Sequence, residues 1–291
     1  MEFREQFLKA YHGKPGEQRP AEGRSVLPVV QLTQALRIAV INQKGGCGKT
    51  TTSINLSACL AEMGYRVLLV DLDPQAHATL GLGIPGDELE FVVYHLLLRE
   101  NLSVLRVMQQ TFHKNLKLLP ANGLLSSAQM ELLSVSQRDR ILKTRLDEVK
   151  DLFDFVLIDC PPSLNVLTIN ALTAATQVIV PIQTQFYSLD GMRELFKSIE
   201  LIRESSNSDL EILGILPTLF DPRTKMNRAM LQAVRDYFRG QVFETAIYLS
   251  AALAECPMMG QPITRYAPGS RGANNYRSLA EEVVRRVTRS S

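Results

Sequence analysis

The sequence predicts a three-layer α/β fold in which a mostly parallel, twisted sheet carries helices on both faces. Short apolar segments recur along the chain, and amphipathic stretches with helical spacing separate them. Strands that are covered on both faces are nearly continuous apolar runs, as these segments are. A glycine-rich loop follows the first apolar run and precedes a helical pattern, which is the arrangement of a phosphate-binding loop.

The predicted strands are the short apolar runs, and the clearest predicted helices are three amphipathic stretches in the second half of the chain. The strands are Ile38–Ile41, Val67–Asp71, Leu116–Leu119, Phe155–Asp159, Val178–Ile182, Ile212–Pro217 and Gln241–Thr245. The helices are Leu189–Glu204, Asn227–Arg239 and Tyr276–Arg289. Alternation of the two element types indicates a sheet built from strand–helix–strand units.

Residues 1–36 differ from the rest of the chain. A short amphipathic stretch, Phe3–Tyr11, is followed by Gly13–Pro20, whose glycines, prolines and charges indicate a flexible linker. We therefore expect a partly flexible N-terminal extension over residues 1–36 and one α/β domain over residues 37–291. A tail without a function of its own is favoured over a partner-docking arm.

Composition excludes several classes of protein. The chain has 291 residues, of which 45% are hydrophobic, so one large core is expected. Its longest apolar stretches, such as Val178–Ile182, fall far short of the ~20 residues that cross a bilayer. We expect no transmembrane segment, and the N-terminus has no apolar signal core, which favours the cytoplasm.

The cysteines and the net charge identify no further class. The four cysteines, Cys47, Cys59, Cys160 and Cys256, have no paired spacing, which argues against a zinc site or a disulfide framework. The net charge is only +2, which is too weak by itself to indicate nucleic-acid binding. Any basic surface must therefore be local.

The glycine loop has the residues that a bound triphosphate requires. Gly45, Gly46 and Gly48 allow backbone conformations closed to other residues and a close approach to phosphate. The N–H groups at the start of the next helix point toward the anion. Lys49 supplies positive charge at the β and γ phosphates, and the Thr50 hydroxyl is placed to bind magnesium.

A second lysine, Lys44, precedes the first glycine and has no role in the ordinary pattern. A solvated surface lysine is the plain alternative. The sequence Lys44–Thr52 resembles the deviant Walker A loop of the ParA/MinD family of ATPases. Further similar segments follow in the same order, over residues 37 to 287: Val67–Gln75, Phe155–Ser163, Gly214–Thr224 and Ser270–Ala273. Several motifs in order are far more specific than a lone glycine loop.

The resemblance implies a P-loop ATPase that binds ATP and Mg²⁺ and forms a homodimer with ATP. In this family the extra lysine reaches the nucleotide of the other subunit, so Lys44 and Gly45 are expected at a dimer interface. Lys44, Lys49 and Asp73 are the expected catalytic residues, and Thr50 and Asp159 the expected magnesium site. The expected nucleotide contacts are Lys44, Gly45, Gly46, Cys47, Gly48, Lys49, Thr50, Thr51, Tyr248 and Ser250.

Two aspartates compete for the role of orienting the attacking water. Asp71 and Asp73 are two residues apart and project to the same side if the strand continues, so spacing does not separate them. The resemblance selects Asp73, because its Asp-Pro-Gln resembles the first switch motif of the family. A turn or helix-capping aspartate is the plain alternative for Asp73 and Asp159.

One segment departs from the family pattern. Partition ATPases typically carry Pro-Arg-Asn-Val-Arg-Leu-Ser-Glu-Ala where this chain has Tyr248–Cys256, so both arginines are replaced, by Leu249 and Ala252. Tyr248 and Ser250 are still expected near the adenine, by stacking and by a hydrogen bond. Because lysine and arginine contacts supply most non-specific DNA affinity, DNA binding would need other basic residues.

The candidates for DNA binding are arginines near the C-terminal third of the chain: Arg235, Arg239, Arg265 and Arg271. Arg235 and Arg239 are four residues apart and share a helix face. A solvated helix surface is the alternative to a DNA-binding patch, and the two interpretations are balanced. Non-specific DNA, bound in the ATP state, is an expected partner, with these arginines as its candidate contacts.

The expected function is a dimerising switch that positions chromosome, plasmid or protein cargo in the bacterial cytoplasm, at the nucleoid if DNA is bound. The resemblance also implies a ParB-like or analogous adaptor that accelerates hydrolysis. The alternatives are a MinD-like ATPase at the membrane surface, an ATPase scaffold without DNA binding, and an electron-transfer ATPase similar to the nitrogenase iron protein. The third alternative needs two suitably placed cysteines in each subunit, and Cys160 has no obvious mate.

Overall fold

The computed structural model describes residues 34–184 and 188–289, without the side chains of 188–191 and 289. The extension predicted over residues 1–36 therefore lies almost entirely outside the described residues. The domain boundary at residue 37 stays a prediction, although the first strand begins at Leu36. Among the described residues, no helix combines the length and apolar character needed to cross a bilayer.

Seven strands form a single sheet in the described part of the chain. They are β1 Leu36–Val40, β2 Val67–Asp71, β3 Gln109–Gln110, β4 Leu116–Leu119, β5 Phe155–Asp159, β6 Gln177–Gln183 and β7 Glu211–Thr218. Their order across the sheet is β3-β4-β2-β5-β1-β6-β7, and every pair is parallel except β3 with β4. The carboxyl ends of the parallel strands consequently share one edge, where ligands bind in folds of this kind.

Twelve α-helices connect and cover these strands in the described residues. They are α1 Lys49–Glu62, α2 His77–Gly81, α3 Val93–Leu98, α4 Val104–Val107, α5 Leu125–Glu131, α6 Ile141–Asp147, α7 Val166–Ala174, α8 Ser188–Ser205, α9 Lys225–Tyr237, α10 Ala251–Glu255, α11 Ile263–Tyr266 and α12 Arg271–Arg289. The three predicted helices correspond to α8, α9 and α12, and α12 begins five residues earlier than Tyr276. The predicted α/β class with helices on a mostly parallel sheet is confirmed.

The two faces of the sheet carry separate apolar cores. In β2, Leu68 and Val70 belong to one core, whereas Val67 and Leu69 belong to the other. This division follows from the alternation of side chains along a strand. The second core includes residues of α1 and α12, so the phosphate-loop helix and the last helix lie on the same face.

The prediction of a strand over Gln241–Thr245 is wrong. This segment runs beside β7 but pairs with it only at an isolated bridge between Ile215 and Val242. Beyond the bridge, the backbone N–H groups of Glu244 and Thr245 donate to the carboxylate of Glu282 on α12, both at 2.9 Å. The Glu282 carboxylate thus satisfies two neighbouring backbone donors that β7 does not.

The sequence also failed to predict β3. Gln109–Gln110 is only two residues long and consists of glutamines that form an antiparallel edge pair with β4. Such a segment has neither the length nor the apolar pattern of a buried strand.

Candidate functional site

The phosphate loop lies between β1 and α1, and two of its glycines are required by backbone conformation. Gly46 and Gly48 have φ of +70° and +88°, a region that residues with a Cβ rarely adopt. Gly45 is different, because its φ is not positive and a Cβ built there meets nothing within 4 Å. The fold of the isolated subunit therefore accounts for Gly46 and Gly48 but gives no reason for a glycine at position 45.

Side chains from β6 and β7 hold the loop in place. Gln183 donates a 2.7 Å hydrogen bond to the carbonyl oxygen of Gly46. Thr218 donates a 2.8 Å hydrogen bond to the carbonyl oxygen of Cys47. Neither residue was among the predicted site residues. The one sequence signal that marks them is their position, since each is a polar residue at the carboxyl end of an apolar strand.

The two lysines of the loop have different surroundings. Lys49 is 7% exposed, and its ammonium group donates to the carbonyl oxygen of Lys44 at 3.3 Å. The backbone N–H of Lys44 donates to the side chain of Asn42, at 2.9 Å. The half-buried Lys44 side chain has no hydrogen bond or ion pair with any residue in the described part of the chain. The Lys44 ammonium group therefore lies beside the loop without a charged or hydrogen-bonding partner among the described residues.

A cavity of about 510 Å³ opens beside the phosphate loop. Most of the predicted nucleotide contacts line it, together with Asp73: Gly45, Gly46, Gly48, Lys49, Thr50, Thr51, Tyr248 and Ser250. Cys47 is fully buried beneath the loop, and its burial raises the pKa of the thiol. The opposite side of the cavity, which we call the base wall, consists of Ile247, Tyr248, Leu249, Ser250, Leu253, Ala254 and Tyr276.

The structure separates the two competing aspartates. Asp71 is fully buried and accepts hydrogen bonds from the N–H and the hydroxyl of Thr79, at 2.8 and 2.7 Å. Its other carboxylate oxygen accepts from the backbone N–H of Asp73, at 3.2 Å. Asp73 instead lines the cavity and accepts one 2.9 Å bond, from the N–H of Gln75. Asp71 thus holds the segment that carries Asp73, and Asp73 faces the nucleotide cavity.

Asp159 has the features of a residue that binds a cation. It ends β5, is fully buried, and accepts a 2.8 Å hydrogen bond from Ser53 through one oxygen. The other oxygen is buried without a hydrogen-bond partner. An anionic oxygen left in this state is costly unless a cation or an ordered ligand satisfies it.

Burial is the largest influence on the two buried carboxyl groups of the site. It raises the pKa of Asp159 to about 8, and the nearby charge of Asp71 adds to the increase. The hydroxyls of Thr50 and Ser53 act in the opposite direction. Burial likewise raises the pKa of Asp71 to about 6, against the hydrogen bonds from Thr79. Both effects express the cost of placing negative charge away from water.

The residues present fit a magnesium ion held partly by a bound triphosphate. The described residues contain no group of three or more histidine, cysteine or carboxylate side chains that could hold a metal alone. Magnesium commonly binds through one or two protein groups together with phosphate oxygens and water. Thr50 on the cavity surface and the unpartnered oxygen of Asp159 are such groups.

Aromatic and cationic side chains support the base wall. The guanidinium of Arg271 lies 3.3 Å from the centroid of the Tyr248 ring, and the Phe220 ring meets the same ring edge-on at 5.2 Å. Cation–π contact of this kind orders the ring. Tyr248 is therefore fixed at the side of the cavity where stacking on a base was predicted.

The arginines predicted for DNA binding do not form one cluster in the described subunit. Arg235 donates to the carbonyl oxygen of Glu244, beside β7, whereas Arg265 lies over the ring of Phe112, between β3 and β4. β7 and β3 are the two ends of the sheet. Arg239 follows the end of α9 near Arg235, and Arg271 lies at the base wall.

The apolar face of α12 is used inside the protein. Val283, Val284 and Val287 are buried and belong to the core on the α1 face of the sheet. This face is therefore not available to a membrane surface. The four cysteines of the chain are all buried and unbridged.

A family model described as an AAA domain matches residues 35–212. Two curated relatives cover nearly the whole domain. The sporulation initiation inhibitor protein Soj of Bacillus subtilis is 46% identical over 247 residues, which are 85% of this chain and 97% of that protein. The chromosome-partitioning ATPase Soj of Thermus thermophilus is 47% identical over 251 residues, which are 86% of this chain and 96% of that protein.

Solved structures that share the fold include a complex with nucleotide and magnesium. A Mycobacterium smegmatis protein described as cobyrinic acid a,c-diamide synthase, with bound ADP and magnesium, has a TM-score of 0.78 at 38% identity and covers 88% of this chain and 97% of its own. The cell division ATPase MinD of Pyrococcus furiosus has a TM-score of 0.71 at 26% identity and covers 86% of this chain and 99% of its own.

Proposed function

Since the chain belongs to the ParA/MinD family of ATPases, near its ParA branch, we propose that it is an ATP-dependent dimerising switch that positions chromosome, plasmid or protein cargo in the bacterial cytoplasm. It is a P-loop ATPase that uses ATP and Mg²⁺. In the proposed cycle, two copies associate around bound ATP and separate after its hydrolysis. Cargo position then depends on where hydrolysis is stimulated.

The main support for the proposal is that the positively charged side chain of Lys44 has no partner among the described residues. Lys49 lies inside the loop, where it can neutralise the phosphates of the nucleotide bound by its own subunit. Lys44 has no partner among the described residues of its own subunit, and Gly45 beside it is exposed and faces open space. A second copy placed against this surface would bring its Lys44 to the triphosphate, where a cation stabilises the charge of the transition state.

Within one subunit, the remaining steps fall to residues of the cavity. Magnesium bound by Thr50 and Asp159 would neutralise phosphate charge and orient the triphosphate. Asp73 would accept a hydrogen bond from the attacking water and direct it at the γ phosphate. Asp71 would keep Asp73 in position through its backbone N–H.

We further propose that the ATP-bound dimer binds non-specific duplex DNA through Arg265 and Arg271. Both are exposed, and they lie at the two ends of the segment that joins α11 to α12. Arg271 also contacts Tyr248 of the base wall, so nucleotide occupancy can reach this surface directly. A dimer would present two copies of the pair. An adaptor of the ParB type, or an analogous protein, would bind the dimer and accelerate hydrolysis.

Size-exclusion chromatography with light scattering tests the dimerisation on which the proposal depends. The wild type should be a dimer with Mg²⁺ and a non-hydrolysable ATP analogue and a monomer with ADP. Lys44→Ala and Gly45→Val should both remain monomeric with the analogue while still binding it. Gly45→Val is informative because its side chain has room within the subunit, so a variant that still binds the analogue but does not dimerise has its defect between subunits.

The matched control is Gly269→Val, another exposed glycine with nothing within 4 Å of its added Cβ. This variant should dimerise like the wild type. Dimers of Gly45→Val and Lys44→Ala of wild-type stability would overturn the proposed arrangement.

A further inference from the structure

Asn42 follows the end of β1 and bonds to the neighbouring strand through its side chain. The backbone N–H of Ile41 still donates to the carbonyl oxygen of Ile179 on β6, at 3.1 Å. Next along the chain, the Asn42 amide group donates to the carbonyl oxygen of Pro181, at 2.7 Å. A side chain thus continues the pairing with β6 where the backbone enters the phosphate loop.

The other end of the same amide holds the backbone of Lys44. The side-chain oxygen of Asn42 accepts a hydrogen bond from the N–H of Lys44, at 2.9 Å. The carbonyl oxygen of Lys44 accepts from the ammonium group of Lys49, at 3.3 Å. The backbone of Lys44 is therefore held from both sides, although its side chain has no partner among the described residues.

Asparagine suits this place because an amide has both kinds of polar group. Its oxygen accepts and its nitrogen donates, and the partners fix which way it points, since an N–H needs an acceptor and a carbonyl needs a donor. Asn42 is half-buried, and Pro181, to which it bonds, lies in the buried part of β6. The amide therefore links the backbone of Lys44 to a core strand of the sheet.

We propose that Asn42 is a positioning residue for hydrolysis, which sets the direction in which Lys44 extends toward the triphosphate of a second copy. The nucleotide of its own subunit is bound by Lys49 and the glycine loop, so Asn42 serves the nucleotide across the dimer. Displacement of a reacting group by about 1 Å can lower a rate by about 100-fold. The inference rests on the proposed function, because Lys44 must act on the partner's nucleotide.

Turnover and nucleotide binding by Asn42→Ala give the first test. The variant should bind ATP nearly as the wild type does, because the phosphate loop keeps its glycines and lysines, and its kcat should fall by about 10- to 100-fold. The matched control is Asn207→Ala. The half-buried Asn207 amide also makes two bonds, to the carbonyl oxygens of Leu172 and Ala175 at 2.8 and 2.6 Å, and does not line the cavity. The control should keep wild-type turnover. A wild-type kcat for Asn42→Ala, or an equal loss in the control, would overturn the inference.

A mixture of two defective variants shows whether Asn42 acts across the dimer. Asp73→Ala lacks the carboxylate of its own cavity but carries an intact Lys44, whereas Asn42→Ala has an intact cavity and a displaced Lys44. In a mixed dimer, the nucleotide of the Asn42→Ala subunit receives the lysine of the Asp73→Ala subunit. Excess Asp73→Ala added to Asn42→Ala should therefore raise phosphate release by about 10-fold above the sum of the separate rates.

The same mixture made with Lys44→Ala separates failure of the inference from failure of the proposed function. Both mixtures should gain activity. A gain with Lys44→Ala only would overturn the positioning role of Asn42 and leave the proposed dimer intact. A gain with Asn42→Ala only would overturn the inference as well, because Asn42 would then not act through Lys44. If neither mixture gained activity, Lys44 would not reach the partner's nucleotide, and the inference and the proposed arrangement would both be wrong.

Discussion

Thr79 donates two hydrogen bonds to one carboxylate oxygen of Asp71, from its N–H at 2.8 Å and from its hydroxyl at 2.7 Å. The same hydroxyl accepts a 2.9 Å bond from the N–H of Ala121, in the loop after β4. Asp71 also accepts from the N–H of Asp73. These bonds tie the segment that carries Asp73 to the core of the sheet, so the position of the proposed catalytic carboxylate depends on a buried threonine six residues away.

Removal of the Thr79 hydroxyl should therefore affect both stability and catalysis. Thr79→Val leaves a buried carboxylate and the N–H of Ala121 each short of a partner, which should lower the free energy of unfolding by about 1–3 kcal/mol. ATP turnover should fall because Asp71, which holds the backbone of Asp73, loses one of the two bonds that Thr79 donates to it. Thr173→Val is the control, because the Thr173 hydroxyl is buried without a partner and its removal should cost almost nothing. Equal effects of the two substitutions in urea denaturation would contradict this account.

Asp73→Ala should separate binding from hydrolysis. The cavity keeps its phosphate loop and its base wall, so the variant should bind ATP and form the dimer as the wild type does. Hydrolysis should fall by about 100-fold or more, because the group that orients the attacking water is removed. Phosphate release with saturating ATP measures hydrolysis, and light scattering of the same samples measures dimer formation. Wild-type turnover would remove Asp73 from the mechanism.

Asp159→Asn should have opposite effects on the free and the ligand-bound protein. Without ligand, the variant should be at least as stable as the wild type, because burial raises the pKa of Asp159 to about 8 and a neutral amide avoids the cost of ionising a buried carboxyl group that has one unpartnered oxygen. The stabilisation given by MgATP, about 2.7 kcal/mol at 100 times the dissociation constant, should largely disappear. Thermal unfolding of the wild type and the variant, with MgATP and with ATP plus EDTA, measures how much stabilisation depends on magnesium. Wild-type stabilisation of the variant by MgATP would argue against a magnesium role for Asp159.

DNA binding should depend on Arg265 and not on the α9 pair. Arg265→Ala should weaken ATP-dependent binding to duplex DNA and reduce the slope of log affinity against log salt by roughly one for each phosphate that the arginine neutralises. The double variant Arg235→Ala, Arg239→Ala should behave like the wild type, because Arg235 is engaged with the Glu244 carbonyl beside β7. Fluorescence anisotropy with a random-sequence duplex at several salt concentrations measures both. The reverse pattern would place the DNA surface at the β7 end of the sheet.

The sequence predicted the parts of the site that are local in the chain. The phosphate loop is encoded within a few residues, and its glycine and lysine spacing marks it without tertiary information. The strands are also local, because burial on both faces gives apolar runs. Gln183 and Thr218 could not be predicted in the same way, because their bonds to the loop exist only when β6 pairs with β1 and β7 pairs with β6, which no local pattern states.

The arginine surface shows the same limit. Arg235 and Arg265 are close enough in sequence to suggest one basic region, yet the fold carries them to opposite ends of the sheet. Their separation in space becomes evident only from the order of the strands, which places β3 and β7 at opposite ends of the sheet. The wrongly predicted strand at Gln241–Thr245 has a related cause, since Glu282, nearly forty residues later, accepts hydrogen bonds from the N–H groups of Glu244 and Thr245.

Glu282 should therefore make stability depend on pH. Burial alone would raise the pKa of this carboxyl group, but the N–H groups of Thr245 and Glu244, together with Arg286, hold it below the usual value. A carboxyl group with a lowered pKa in the folded state stabilises the fold above the unfolded pKa of about 4.3, and this contribution disappears as the pH falls through the folded pKa. Glu282→Gln should lower the free energy of unfolding by about 1–3 kcal/mol near neutral pH.

The difference between Glu282→Gln and the wild type should be constant from about pH 6 upward and should shrink as the pH falls below about 4.3. Glu281→Gln is the control, because its side chain is exposed on the same helix and its substitution should change stability little at any pH. Urea denaturation between about pH 3.5 and pH 7 measures both variants. If the two variants showed the same dependence on pH, Glu282 would not be the group that fastens Glu244 and Thr245 to α12, and the absence of the predicted strand from this described segment would need another cause.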